Sequence, residues 1–332
     1  MKIFIEPKFS EYYRKCPLVL VDVGASGGLQ PNWKPAEKYL RIIGFEPDGR
    51  EFSKLEKSTD DSTKYLNIGL YNKKTTLDFY LTRKQQTSSI FKPNRKLLDK
   101  FPEAERFDIV GSTQFEVDTL DNQFKVYNID KADFIKVDAQ GGELFILQGA
   151  IETIKNHIFG LEVEVEFAEV YKNQPLFSDV DSFIRKEGFQ LFDMQRFYWK
   201  RSLGKRYGKV KGQLMFGNAL YFRIPEHFKK VIDKMPDEIA KKSKALKAIS
   251  ICLLYGYCDY ALEILFDAAG ELFGQTERSL VEEMIQRNIS YGSKVPNFRG
   301  KSKIAGISYY LWELLKPTHN GWATCDKRFG NL

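Results

Sequence analysis

Three short stretches carry residue types that could do chemistry together. In Asp22-Val23-Gly24-Ala25-Ser26-Gly27-Gly28 the glycines let a backbone approach a ligand without a Cβ in the way. A glycine turn between a strand and a helix, at the carboxyl edge of a parallel sheet, is where open α/β folds bind ligands. Ser26 takes the second glycine position, so the dinucleotide pattern GxGxxG is absent. The turn fits an adenosylmethionine loop better, and the bland alternative is a plain strand-to-helix turn.

Glu46 stands 22 positions after Gly24, at the end of an apolar run and just before Pro47. An acid there can accept hydrogen bonds from both hydroxyls of a ribose, a device that does not choose between nucleoside ligands. Asp48 is the reserve candidate. The third stretch is 134–143, reading FIKVDAQGGE. Lys136 and Asp138 are two apart on a strand and so share a face. Buried parallel strands rarely spend two charges that way without a reason. Glu143 has a sufficient structural reason, the start of a helix and its dipole.

These residues need elements to hold them. Leu18–Val23 reads as a buried parallel strand feeding the glycine turn. Residues 35–39 suit a helix, 41–45 a second strand closed by Pro47, 49–57 a helix and 64–70 a third strand. Strands are expected again at 75–81 and 115–120, with a polar loop at 82–93. Phe134–Val137 delivers Asp138 at its carboxyl end, and 143–156 has helical spacing, with Leu144, Leu147, Ile151 and Ile154 on one face. In 161–167, strict alternation puts Glu162, Glu164 and Glu166 on one side, a solvated or helix-covered polar face on the plain reading. A helix at 179–187 ends at Gly188. Strands at 189–194 and 218–224 make an antiparallel finish. Pro225 marks a boundary, dividing a domain of 1–224 from a region of 225–332 with helices at 241–267, 277–288 and near 308–315.

Composition narrows the class. The chain has 332 residues, enough for a sizeable core, and apolar and charged fractions of 43% and 29% suit a globular protein. Cys16, Cys252, Cys258 and Cys325 form no CxxC pair, and the three histidines show no metal-ligand spacing, which argues against a zinc hydrolase or a disulfide framework. No secretory leader is read at the N-terminus and 249–258 is too short to span a bilayer, so the expected setting is cytoplasmic. Net charge is +7, much of it in the basic run Lys200, Arg201, Lys205, Arg206, Lys209 and Lys211. Such a run could meet phosphates or an acidic membrane surface; a solvated loop is the plainer reading. Tyr198 and Trp199 beside it could stack on a sugar ring, or simply pack a hairpin.

With the three stretches in this order and spacing, the chain resembles the FkbM methyltransferases. The matching pieces are VDVGASGG, GFEPD, NIGL, FIKVDAQGGELFILQGA, the pair Ser88-Ser89 and Thr119-Leu120-Asp121, over about residues 18–223. The chain departs where Gln140 and Gly142 stand, the family more often carrying an acid at the first and another residue at the second. The resemblance implies a class I methyltransferase fold, a Rossmann-like, mostly parallel seven-stranded sheet with an antiparallel terminal hairpin, here followed by a helical C-terminal appendage. It implies S-adenosylmethionine as cofactor and a hydroxyl acceptor, often on a sugar or natural product, here a glycan or a lipid- or nucleotide-linked sugar. In that picture Asp22, Gly24, Ala25, Ser26 and Gly28 hold the methionine end, and Glu46 with Pro47 takes the ribose. Asn67 and Ile68 lie near the adenine, and Asp138 lines the reaction centre.

Transfer to an alcohol is chiefly alignment, plus a base for the hydroxyl proton. Asp138 is the first candidate base, Glu164 the second, and Lys136 would orient the acceptor or hold the charge of Asp138. No metal is expected, although the glutamate row offers the oxygen ligands that magnesium prefers. Two rivals come from other classes. A nicotinamide-dependent oxidoreductase is disfavoured by the missing GxGxxG. A non-catalytic glycan- or protein-binding module is disfavoured by the intact loop, Glu46 and Asp138. Nucleic acid is not an expected partner, since no recognised module is present; a homo-oligomer stays open.

Overall fold

Short runs of β-branched and leucine residues bounded by turns build the sheet in the computed structural model of the chain. It describes all residues except 26–27, 58–61, 208–210, 290–295, 297, 316–320, 327–328 and 332. The strands are β1 (Leu18–Val23), β2 (Leu40–Phe45), β3 (Thr63–Leu66), β4 (Gly69–Leu70), β5 (Thr75–Thr82) and β6 (Ile109–Asp118). They continue with β7 (Phe134–Val137), β8 (Gly160–Glu166), β9 (Phe189–Trp199), β10 (Gln213–Arg223) and β11 (Ala323–Cys325). Among the described residues the main sheet has eight strands in the order β11-β9-β10-β8-β7-β1-β2-β3. The five from β8 to β3 run parallel, and β10 enters antiparallel between β8 and β9. This is the expected parallel sheet with its terminal hairpin, extended at one edge by β11, whose three residues carry too little pattern to be read as a strand.

Two expected strands lie elsewhere. β6 pairs with β5 on one side and with β4 on the other in a separate three-stranded sheet. The stretch read as one strand at 64–70 is split between the two sheets. At the break, the Asn67 side chain donates to the carbonyls of Glu46 (2.8 Å) and Pro47 (3.2 Å). Alternation reveals that a segment is extended; it does not reveal which edge it will join.

Helices cover both faces. On one side a helix over Glu143–Gln148 and another over Ile151–His157 pack on the sheet. The sequence suggested a single helix there. The two helices are separated at Gly149 and Ala150, where the chain passes so close to the Tyr71 carbonyl that a Cβ on Gly149 would lie 2.0 Å from its oxygen. On the other face, helices Pro225–Asp233, Glu238–Leu254 and Gln275–Ile289 share one apolar core with the N-terminal helices and with Leu18, Leu20, Phe134, Leu220 and Phe222 of the sheet.

A buried charge cluster fastens this layer. Asp133, just before β7, receives Lys244 Nζ at 2.6 Å and Lys247 Nζ at 3.0 Å, both from helix Glu238–Leu254. The Val19 amide completes the carboxylate's partners at 2.9 Å. Burial opposes ionisation of Asp133, but the two ammonium groups outweigh it and hold its pKa down at about 2. No helix among the described residues is long and apolar enough to cross a membrane.

Candidate active site

Register sets the site. Val23 lies opposite both Phe45 and Val137, so the next residue on each strand, Gly24, Glu46 and Asp138, emerges at one level on the carboxyl edge. Backbone bonds lock the three tips. The Gly24 amide donates to Phe45 O at 3.0 Å, that of Asp138 to Val23 O at 3.0 Å, and that of Glu46 to Leu66 O at 3.1 Å. Gly24 has φ +76°, and a Cβ there would sit 2.0 Å from the Asp138 carbonyl oxygen. Only glycine lets these two chain segments lie this close.

The tips line one cavity of about 440 Å³. That is within the range of small-molecule and cofactor sites. Gly24, Glu46, Pro47, Ile68 and Asp138 all border it. Its far wall is apolar: Leu77 and Phe79 from β5, Phe115 and Val117 from β6. Sequence reasoning missed this wall. The alternation of β5 was visible, but nothing local said that its inward face would roof the glycine turn. Gln85, Gln86 and Ser88, from the loop read as polar, complete the rim.

Glu46 is buried, and its Oε1 accepts the Asp48 amide at 2.9 Å. Burial raises its pKa to about 7 against that hydrogen bond, with Asp48 adding to the rise. Asp48 itself caps the following helix through the Arg50 amide at 2.9 Å. The remaining candidates divide. Asp22 lies beneath the turn in an ion pair with Lys136 at 3.1 Å. Burial works against the charge of Lys136, but Asp22 and Asp138 more than restore it and raise its pKa. Ala25 is buried against the sheet, Asn67 braces the β2 tip, and Ser26 lies outside the described residues. Gly28, Lys136, Asp138 and Glu164 border a second cavity of about 290 Å³ on the other side of the β7 tip.

The glutamate row of β8 is not a solvated face. Glu162 is buried and accepts Tyr255 Oη at 2.9 Å and Gln30 Nε2 at 2.9 Å. Glu164 faces Asp138, and burial followed by the charges of Asp138, Glu166 and Glu143 lifts its pKa well above the carboxylate range. Glu166 rises for the same reasons. Glu143, which accepts the amides of Ala139 (2.8 Å) and Gly141 (3.1 Å), is pushed by burial to about 7. Oxygens of Glu143, Glu164 and Glu166 all lie within 4.8 Å of one another. Oxygen donors so grouped suit either shared protons or a hard divalent cation.

Gln140 joins this set to Asp138. Its backbone is left-handed (φ 53°), unusual for a residue with a side chain. Ser89 Oγ donates to its carbonyl at 2.6 Å, and Tyr171 Oη donates to its Oε1 at 3.1 Å. The amide nitrogen is thereby turned to Glu164 Oε2 at 2.7 Å and Asp138 Oδ1 at 3.2 Å. Backbone strain held by surrounding contacts concentrates at functional sites. The residue was visible in the sequence only as a departure from the family pattern.

A doubly wound sheet with the antiparallel strand β10 inserted next to β9, and a glycine turn and two acidic strand tips around one cleft, is the architecture of a class I methyltransferase. The Methyltransferase FkbM domain matches residues 22–191, slightly more than half of the chain, and the chain belongs to that family. Solved structures similar to it include the methyltransferase FkbM from Methylobacillus flagellatus KT, 16% identical, with 66% of this chain and 50% of that one covered and a TM-score of 0.36. The chain therefore spans half the length of that relative. Another is the magnesium protoporphyrin IX methyltransferase ChlM from Synechocystis PCC 6803 with bound SAM, 8% identical over 65% of this chain and 76% of that one, TM-score 0.33. Curated proteins offer no match.

Proposed function

We propose that the chain transfers a methyl group from S-adenosylmethionine to a hydroxyl oxygen of a sugar. The observation that carries this reading is the convergence of Gly24, Glu46 and Asp138 on one cavity, with Asp138 also bordering the neighbouring cavity that contains Glu164. The cleft suits the cofactor in its chemistry. An acid at the β2 tip can accept both ribose hydroxyls, the apolar wall of Ile68, Leu77, Phe79 and Phe115 suits a flat base, and the Gly24 turn leaves room for backbone approach. Gly28 and Lys136 border the side on which the charged methionine end would lie.

When bound, the cofactor supplies a methyl group already activated by a sulfonium. The chain has to align an acceptor oxygen behind that carbon and take its proton. Asp138 is the base of first choice. The Gln140 amide donates to Asp138 at 3.2 Å and to Glu164 at 2.7 Å and so holds the two carboxyl groups side by side, and burial with acidic neighbours raises the pKa of Glu164. In that role Asp138 would take the hydroxyl proton of the acceptor, and the bound cofactor would supply the methyl group that replaces it on the oxygen.

Replacing Asp138 by Asn keeps size and hydrogen bonding but removes the base. Radiolabelled methyl transfer to glycan acceptors should fall by about 10² to 10⁴, with calorimetric affinity for S-adenosylhomocysteine within about threefold of the parent. Unchanged turnover removes Asp138 from the reaction, and no measurable S-adenosylhomocysteine binding by the parent removes the cofactor assignment.

A further inference from the structure

A third cavity, of about 360 Å³, adjoins the one that holds Glu46; the two share Gln86 and Gln140 in their walls. Glu164 and Glu166 face it from β8. Its opposite side is aromatic. Phe197 and Phe216 stack with centroids 4.5 Å apart and planes within 5°, and Trp199 stands edge-on to Phe216 at 5.9 Å.

Arg106 is the one cation among the described residues lining this cavity. Its guanidinium carbon sits 4.8, 4.6 and 4.5 Å from the ring centres of Phe107, Trp199 and Trp322. Two nearby carboxylates have other partners. Asp108 pairs with Arg83 and Arg95, and Glu103 accepts the Trp322 indole N–H at 2.8 Å. Nε of Arg106 is buried and meets no acceptor among the described residues. Aromatic faces attract the charge and would account for an arginine used as packing. They supply no hydrogen-bond acceptor, and a guanidinium has five donors arranged to match a planar or tetrahedral oxyanion. Burial lowers its pKa, so its charge is held at a cost that an arriving anion would offset.

We propose that this third cavity binds the acceptor, and that the acceptor is an acidic sugar whose carboxylate or phosphate ester is received by Arg106. The sugar ring lies against the rings of Trp199 and Phe216, and the hydroxyl to be methylated points past Gln140 toward Glu164 and Asp138. This rests on the methyltransfer reading above and adds the charge class of the substrate and the residue that selects it.

The test is calorimetric titration of the full chain, saturated with S-adenosylhomocysteine, by pyranosides in gluco, galacto and manno configuration that differ only at C6. The arms carry a hydroxymethyl, a carboxylate or a phosphate ester. An anionic arm should bind roughly 10- to 100-fold tighter than its hydroxymethyl twin, the range of a charge-assisted hydrogen bond to a partly buried group. Which anion binds tighter separates a uronic acid from a phosphosugar. Arg106→Gln should erase the preference, and Arg106→Lys should keep part of it. Equal binding of all arms, no binding of any arm at millimolar concentration, or a preference that survives Arg106→Gln overturns the proposal. If Arg106→Gln fails to bind S-adenosylhomocysteine and so has lost its fold, the lysine variant decides, and equal binding of anionic and hydroxymethyl arms by a folded Arg106→Lys overturns the proposal. Failure of the parent to bind S-adenosylhomocysteine sinks the methyltransfer reading instead, whereas normal binding without anion preference sinks this one alone.

Discussion

Glu46 titrates where the protein is normally handled. Its pKa of about 7, set mainly by burial, means that near neutral pH about half the molecules carry a carboxylic acid at the β2 tip. A ribose donates two hydroxyls, so it binds the ionised form better. Affinity for S-adenosylhomocysteine should therefore rise between about pH 6 and 8, with a proton released on binding at the lower end, and calorimetry in buffers of different ionisation enthalpy will read it. Glu46→Gln should bind at least about tenfold more weakly and show no such slope. The same elevation bears on stability with the opposite sense. From 4.5, the ordinary value, up to about 7 the native chain holds a proton that the unfolded chain has released, so this group's contribution falls as pH rises through that window. At this scale the sequence was informative. Glu46 and Asp138 could be singled out because an acid at the end of an apolar strand is expensive without a ligand. Gln140 could not be, since its importance comes from φ 53° and from partners 24 and 31 positions away.

Between elements, the tightest constraint is the contact of the Gly24 turn with the β7 tip. Gly24→Ala places a methyl group 2.0 Å from a backbone oxygen and asks alanine to adopt φ +76°. The strain, of order 1–3 kcal/mol, has to be relieved by moving either the turn or Asp138. The variant should lose S-adenosylhomocysteine affinity by at least about tenfold and melt earlier in a thermal scan; parent-like values in both would show that the turn has slack. Local pattern predicted the strands that form this junction, because parallel strands buried on both faces read as apolar runs. It did not predict the small sheet of β4, β5 and β6. Pairing partners there are set by a long-range crossing of the chain. The apolar wall of Leu77, Phe79, Phe115 and Val117 became visible only with its neighbours in place. The row Glu162, Glu164 and Glu166 failed in a related way: alternation fixes a shared side, while the Tyr255 hydroxyl and the Gln140 amide that meet it arrive from distant segments.

Across the whole molecule, the helical layer after Pro225 and the strand that presents Asp138 are fastened through Asp133. Asp133→Ala would leave Lys244 and Lys247 buried beside an apolar methyl, a loss of about 3–5 kcal/mol by the cost of stranding one half of a buried ion pair. Denaturant titration should show that drop as a lower midpoint, and a change below about 1 kcal/mol would mean that water or a rearranged partner replaces the carboxylate. A related consequence concerns any attempt to obtain the sheet without the helices that follow Pro225. A polypeptide ending near Ile224 would present Leu18, Leu20, Phe134, Leu220 and Phe222 to water as one continuous oily surface, with Asp133 stranded at its edge. Such a fragment should precipitate or self-associate when expressed, however complete its cleft, because the sheet borrows half of its dryness from helices that come later in the chain.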